Sequence, residues 1–409
     1  MKLLVLGAGV VGKHIARTAA DMPVFGGITV ADRLPGRAAN LAAEVGGTGV
    51  AVDATDQAAL VTLMEQADLV VSAIGPATRF GVSTLRAAIR ARRTFVDITD
   101  DPHPTLDMLK LDAEARAAGV TAIIGTGASP GVSNLLAVAA GRALDRVDRL
   151  LTGWGSGGEE SGDDDEPGDG ANAALQHWVE QCSGAIPALV DGRIADVPPL
   201  RRVVVDYPGL GPVTGRTVGH PEPVTLARRF PELREAFNVM NFSDFVFDGL
   251  EAAAAAVNAG ASPAEGARIL AARFGEDASL ADRFGALARL AFQGMRDALA
   301  PKLWLPPLWA LAEGERDGRP ARIGASLNGY VPGGTGRMTG VPCALIAGLL
   351  ATGAANPGPG VHSVETAVDP DRFFAALAPY LRDSEGRVVT DPVALVRDAG
   401  PGHEAVAAE

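Results

Sequence analysis

The stretch Lys2-Leu3-Leu4-Val5-Leu6-Gly7-Ala8-Gly9-Val10-Val11-Gly12-Lys13-His14-Ile15-Ala16 decides the fold. It reads as a short apolar strand, a G-x-G-x-x-G turn and the start of a helix. A dinucleotide site needs that order: Gly7 permits the tight turn, Gly9 lets the backbone approach a pyrophosphate, and Gly12 lets the helix pack on the strand. The N–H groups of Val10 and Val11 open the helix, where the macrodipole favours negative charge. A second strand, Ile28-Thr29-Val30-Ala31, ends in Asp32, 20 residues past Gly12, where a carboxylate can hold the adenine-ribose hydroxyls.

Strand and helix then alternate to about residue 130. Helical patterns cover Pro35 to Val45, a segment capped by Asp56, Ser83 to Ala91 and Thr105 to Ala118. Strands cover Gly49 to Asp53, Asp68 to Ile74, Thr94 to Ile98 and Val120 to Ile124. The apolar block Leu69-Val70-Val71 is the pattern of a buried parallel strand. Six strands with helical crossovers make a doubly wound parallel sheet, so the fold class is α/β.

Ligands of such sheets bind beyond the carboxyl ends of the strands. Those ends are Asp32-Arg33, Asp53-Ala54, Ala73-Ile74-Gly75-Pro76, Thr99-Asp100-Asp101 and Thr126 to Ser133. Asp32 repels a 2′-phosphate and favours NAD, while Arg33 leaves NADP open. Asp53 either contacts the adenine amino group or caps the next helix. The nicotinamide belongs near Ala73 to Pro76. The turn Ser129-Pro130-Gly131 precedes a helix, Ser133 to Leu144, whose first N–H groups suit a substrate carboxylate.

For proton transfer the candidates are Asp100, at a strand end where desolvation raises a carboxyl pKa, and His220, in a loop between Gly219 and Pro221. Asp101 is read as the cap of the helix that Pro102 opens. For substrate binding they are Ser129, Pro130, Gly131, His177, Arg79 and Arg337, the two arginines as bidentate carboxylate anchors.

At 409 residues the chain can bury two cores. A net charge of −13 argues against nucleic acid and anionic membrane surfaces. Two cysteines, Cys182 and Cys343, give neither a disulfide framework nor a metal cluster and fit a cytoplasmic protein. No signal segment precedes the first strand, no apolar run is long enough to span a bilayer, and no metal is expected.

Past residue 150 the pattern changes. Gly153 to Gly170 is dense in glycine and acid and reads as a solvated loop. A helix carries His177 and Trp178 (Ala171 to Gln181). Hairpin-like segments follow at Ile186 to Val197, Arg202 to Asp206 and Thr214 to Leu226, suggesting a mainly antiparallel sheet. Pro231 to Leu299 reads as helical, with an Ala-rich segment at 249–259, a capping box at Ser262 and Glu265, and a helix from Ser279 to Leu299. Residues 320–332 return to strand. Thr339 to Ala351 and Arg372 to Leu381 are helical, and the tail beyond Pro392 is weakly patterned.

The stretches VLGAGVVGKHIA, VVSAIGPATRFG, TFVDITDD, GTGASPGVSNLLA, GHPEPVTL and MTGVPCALIAGLLATG occur in that order. On them the chain resembles the saccharopine dehydrogenase-like family, which includes saccharopine reductases and lysine 6-dehydrogenases. The resemblance implies a Rossmann domain over 1–130 and an inserted α+β substrate and dimerisation domain over 131–338. C-terminal helices at 339–382 would return to the first domain, with 383–409 as a tail. It implies a homodimer and hydride transfer between a nicotinamide and a C–N carbon of an amino acid or opine-like compound. Two departures stand where that family meets substrate. Ser129 replaces an aspartate, and Leu151-Thr152-Gly153-Trp154-Gly155 replaces a cysteine with paired glycines. They favour another amino acid or imine over saccharopine. They also keep open a polyamine-forming, carbonyl or enoyl reductase, and a nucleotide-binding regulator without turnover.

Overall fold

The computed structural model describes residues 1–155, 169–274 and 303–398. The expected helix at Ser279 to Leu299, most of the acidic loop and the end of the tail lie outside them. Among the described residues the strands are β1 (Lys2–Leu6), β2 (Gly27–Asp32), β3 (Thr48–Ala51), β4 (Leu69–Ser72), β5 (Thr94–Asp97), β6 (Thr121–Ile124), β7 (Arg146–Gly155), β8 (Ile186–Val190), β9 (Arg193–Val197), β10 (Arg202–Tyr207), β11 (Gly211–Val218), β12 (Glu235–Asn241), β13 (Leu308–Arg316), β14 (Arg319–Leu327), β15 (Gly360–Ser363) and β16 (Val393–Arg397). No helix among them is long and apolar enough to cross a membrane.

The first sheet is parallel, in the order β15-β6-β5-β4-β1-β2-β3. Its central strands β1, β4, β5 and β6 are buried on both faces because helices cover both, while the edge strand β3 is largely exposed. One face (Leu4, Leu6, Val70, Phe95, Ala122) packs on Gln57–Met64, Ala77–Ala91, Pro102–Leu109 and Asp112–Ala118. The other (Leu3, Val5, Val71, Val96, Ile123) packs on Val10–Ala20 and the helix Gly334–Ala351. Asp56 caps its helix through the N–H groups of Ala58 and Ala59. Three features differ from the sequence reading. The fourth helix begins at Ala77, six residues early, and the expected Thr105 to Ala118 helix is two helices broken at Lys110-Leu111. The sheet also has a seventh strand, β15, from near the end of the chain.

The helix Gly334–Ala351 returns to lie across the first helix. Gly336 and Gly340 allow the approach: a Cβ on Gly336 would stand 2.4 Å from Val10 Cγ1, and one on Gly340 2.7 Å from His14 Cβ and 2.9 Å from the Val11 carbonyl oxygen. The helix starts five residues before the expected Thr339 because Gly333 adopts a left-handed conformation at its N-cap.

The second sheet runs β10-β11-β12-β7-β13-β14-β16, with the β8–β9 hairpin joined to β12. It is mainly antiparallel, as expected, with β12 and β7 pairing in parallel. The hairpin turn falls at Asp191 and Gly192, both at positive φ. β12 lies inside the segment read as helical, and Leu308–Arg316 is also strand. Thr214 to Leu226 is not one strand: β11 stops at Val218 and Glu222–Thr225 is helical. The tail is not wholly unpatterned either, because β16 pairs with β14 along the sheet edge. The capping box forms as read, with Ser262 N–H donating to Glu265 and Glu265 N–H to Ser262 Oγ.

The helix contact generates a test. Gly340→Ala puts a methyl against rigid backbone and should cost about 1–3 kcal/mol. Gly348→Ala meets only the flexible Met22 sulfur at 2.9 Å and should be near neutral. Urea midpoints of the two variants distinguish the cases; equal midpoints would remove the close-approach argument.

Candidate active site

The glycine turn has the shape the sequence requires. A Cβ on Gly12 would stand 1.9 Å from the Gly7 carbonyl oxygen, and one on Gly7 2.8 Å from that of Ala73. A Cβ on Gly9 would meet nothing within 4 Å. The turn is closed on its protein side and open where a pyrophosphate approaches. Gly9, at the N-cap, offers no side chain to the helix, so Val10 and Val11 remain placed for an anion. These residues fit a dinucleotide.

Asp32 has a part the sequence did not suggest. One carboxylate oxygen accepts the Ala8 N–H at 2.8 Å and the other the Leu34 N–H at 2.8 Å. The acid is built into the turn. Asp53 does not cap the next helix, since Asp56 does. Its carboxyl lies below its ordinary range, held there first by the N–H and hydroxyl of Thr55 and then by the Arg33 and Arg79 guanidiniums. Ala54 is buried behind it. Arg79 therefore stands with Arg33 on the dinucleotide edge, its guanidinium over the Phe80 ring, and does not line the cavity described next. Ile74, Gly75 and Pro76 follow β4 as read.

A cavity of about 660 Å³ opens between the 126–131 turn, the first turn of the Gly334–Ala351 helix and the second domain. It collects Asp100, Ser129, His177 and His220 from four separate segments. Trp154, Trp178 and Phe242 form one wall, with ring centroids 5.3–6.0 Å apart. Leu175, Leu308, Leu327 and Met338 add apolar surface. Both departures from the family pattern, at Ser129 and at Trp154, line this cavity.

Two histidine–carboxylate pairs border it. His177 Nε2 lies 3.2 Å from Asp100 and 3.8 Å from Asp101. Burial works to lower the His177 pKa, but Asp100, Asp101 and Glu180 raise it to about 9. Burial tends to raise the Asp100 pKa, yet His177 holds it below the ordinary range, opposite to the direction expected from the sequence. Asp101 is pushed up to about 6 by burial; it occupies the N-cap position before Pro102, but its side chain accepts no capping hydrogen bond. The ligand atoms of Asp100, Asp101 and His177 lie within 4.8 Å of one another, an arrangement the ion pair accounts for.

The second pair is buried. His220 Nδ1 lies 3.5 Å from Glu222 and 3.4 Å from Ser129 Oγ. Glu222 is fully buried and accepts hydrogen bonds from Ser129 (2.5 Å), Ser133 (2.7 Å) and Asn238 (3.0 Å). Burial opposes its ionisation, but His220 and the serine hydroxyls bring its pKa below the usual value. With a carboxylate on Nδ1, the neutral ring carries its proton there and presents the Nε2 lone pair on the other side. Sequence reasoning missed Glu222, although it stands in the quoted GHPEPVTL; it took the histidine and passed over the acid between two prolines. It also missed Asp97, whose buried carboxylate accepts from Thr99 and the Gly125 N–H and so ties β5 to β6.

Two expected carboxylate anchors are used elsewhere. Arg337 donates to the Pro332 carbonyl at 3.1 Å and does not line the cavity, which sees Thr335, Met338 and Thr339 instead. The helix after the 126–131 turn, Val132–Gly141, has its first N–H groups taken: Gly131 donates to Asn134 Oδ1, Val132 to the Gly127 carbonyl and Ser133 to that of Ala128. Pro130 and Gly131 shape this turn without facing the cavity.

Residues 3–123 match the family model described as saccharopine dehydrogenase NADP binding domain. The saccharopine dehydrogenase [NADP(+), L-glutamate-forming] of Saccharomyces cerevisiae is 31% identical over 147 residues, 36% of this chain and 31% of that relative. The match thus spans less than a third of the relative's length. The structure of apo histidine-tagged saccharopine dehydrogenase (L-Glu forming) from the same organism aligns with a TM-score of 0.61 at 18% identity, over 97% of this chain and 100% of that one. The last likeness shows the fold, and the first two support the family read from the motifs.

The His177–Asp100 pair generates a pH test. A histidine raised from 6.5 to about 9 contributes stability that is complete below pH 6.5 and lost as pH rises through 9. The urea midpoint should fall between those values. In Asp100→Asn the fall should shrink; an unchanged profile would separate His177 from Asp100.

Proposed function

We propose that this saccharopine dehydrogenase-like chain is an NADP(H)-dependent oxidoreductase moving a hydride between the nicotinamide and a carbon bonded to nitrogen. One observation carries the reading: a single helix joins the nucleotide turn to the cavity. Gly336 and Gly340 press on Val10 and His14 while Thr335, Met338 and Thr339 line the cavity. A ligand in the cavity and a dinucleotide on the turn are thereby neighbours, as hydride transfer needs.

The bound nicotinamide supplies or takes up the hydride. The chain's own residues handle what accompanies it. As the substrate's C–N bond becomes C=N, its nitrogen gives up a proton, and His220 Nε2 is the group to receive it. Glu222 orients the ring and stabilises its charged form. The aromatic wall excludes water from the reacting bond.

NADP is supported by the description of the matched family and by the cationic pair Arg33 and Arg79 beside Asp53. Asp32, the residue that argued for NAD, has both oxygens engaged by backbone N–H groups. A homodimer in the cytoplasm belongs to the same proposal; both cysteines are buried and free, and light scattering tests the dimer.

Fluorescence titration should show NADPH binding, with Arg33→Ala lowering its affinity about tenfold or more, the worth of one charge-assisted contact, and leaving NADH unchanged. Preference for NADH would overturn the NADP reading. His220→Gln should lower kcat about 10²- to 10⁴-fold with NADPH affinity intact. Loss of less than tenfold would move the proton-transfer role elsewhere.

A further inference from the structure

We infer that the cavity takes a lipophilic amine without a carboxylate rather than an amino acid. The inference rests on the oxidoreductase reading above and narrows its substrate. Among the described residues lining the cavity there is no lysine or arginine. The chargeable groups are Asp100, His177 and His220, apart from the phenol of Tyr330. Each histidine already faces a carboxylate, His177 that of Asp100 and His220 that of Glu222. A charge on either ring is matched before a ligand arrives, so the rim offers a substrate carboxylate no unpaired cation.

The three carboxylate anchors expected from the sequence are each committed. Arg79 is on the dinucleotide edge, Arg337 is turned to a backbone carbonyl, and the helix N-terminus beside Ser129 has its N–H groups bonded within the turn. A carboxylate desolvated here without a partner would cost several kcal/mol. An ammonium meets the opposite situation. His177 is one ring among three carboxylates, Asp100, Asp101 and Glu180, at 3.2, 3.8 and 4.0 Å, so the cluster keeps acid to spare even when the ring is charged. Asp100 is about two-fifths exposed at the cavity edge, and the faces of Trp154 and Trp178 attract a cation through the ring quadrupole. The remaining wall, with Leu175, Leu308 and Met338, suits an alkyl or aryl body.

The test compares ligands that differ only in the carboxylate: 2-phenylethylamine against phenylalanine, and hexylamine against norleucine. Trp154 and Trp178 report binding through fluorescence, and calorimetry confirms it, on the full chain saturated with NADP⁺. Each amine should bind at least tenfold more tightly than its amino acid. Asp100→Asn should remove most of that preference without altering binding of neutral 2-phenylethanol. An amino acid that binds as tightly as its amine would overturn the inference. So would failure of every amine to bind while NADPH still binds, which would leave the nucleotide reading intact. Failure of NADPH itself to bind would instead sink the oxidoreductase reading.

Discussion

The structure depends on the close crossing of the helices Val10–Ala20 and Gly334–Ala351. Two glycines remove the side chains that would hold them apart, so backbone meets backbone at Val11 and Ile15. Dispersion contacts at that range are individually small and collectively large. The crossing also fixes geometry. The first turn of the second helix cannot move relative to the nucleotide turn, and that same turn walls the cavity. Whatever chemistry happens there inherits its register from this one contact.

A second constraint is the buried carboxylate of Glu222. It gathers donors from the 126–131 turn beyond β6, from the helix that follows it and from β12 of the second sheet. Glu365 does similar work nearby, accepting from Asn134 and Ser363. A buried acid needs compensating donors: three converge on Glu222 Oε1, His220 Nδ1 stands 3.5 Å from the carboxylate, and these contacts join the domains. The polar junction orders the histidine at the cavity edge, so packing and chemistry are coupled through one residue.

The nucleotide half was legible because its signals are local. Glycine spacing, strand-end acids and near-continuous apolar strands each follow from a few neighbouring residues. The second half was read less well for the same reason inverted. β12, Glu235–Asn241, is only seven residues long and mixes apolar residues with Glu235, Asn238 and Asn241, so its pattern alone does not mark a strand, and its parallel partner β7 lies about 80 residues back in the chain. At the site, the histidines and Asp100 were found by residue type and position. Their partners were not, since Glu222 and the true use of Arg79 and Arg337 are set by tertiary neighbours. Asp100 illustrates the cost: its strand-end position argued for a raised pKa, while a histidine 77 positions away lowers it.

β15 completes the first sheet beside β6 with residues from near the end of the chain. The N-terminal domain is therefore topologically open until the inserted domain has been synthesised. A ribosome-bound chain ending before residue 334 carries β4 and β5 with one face lacking its covering helix. Contacts of such sequence separation form slowly and leave apolar surface exposed meanwhile. The nascent chain thus has a long interval in which chaperone binding competes with self-association, and its domain order in space is not its domain order in time.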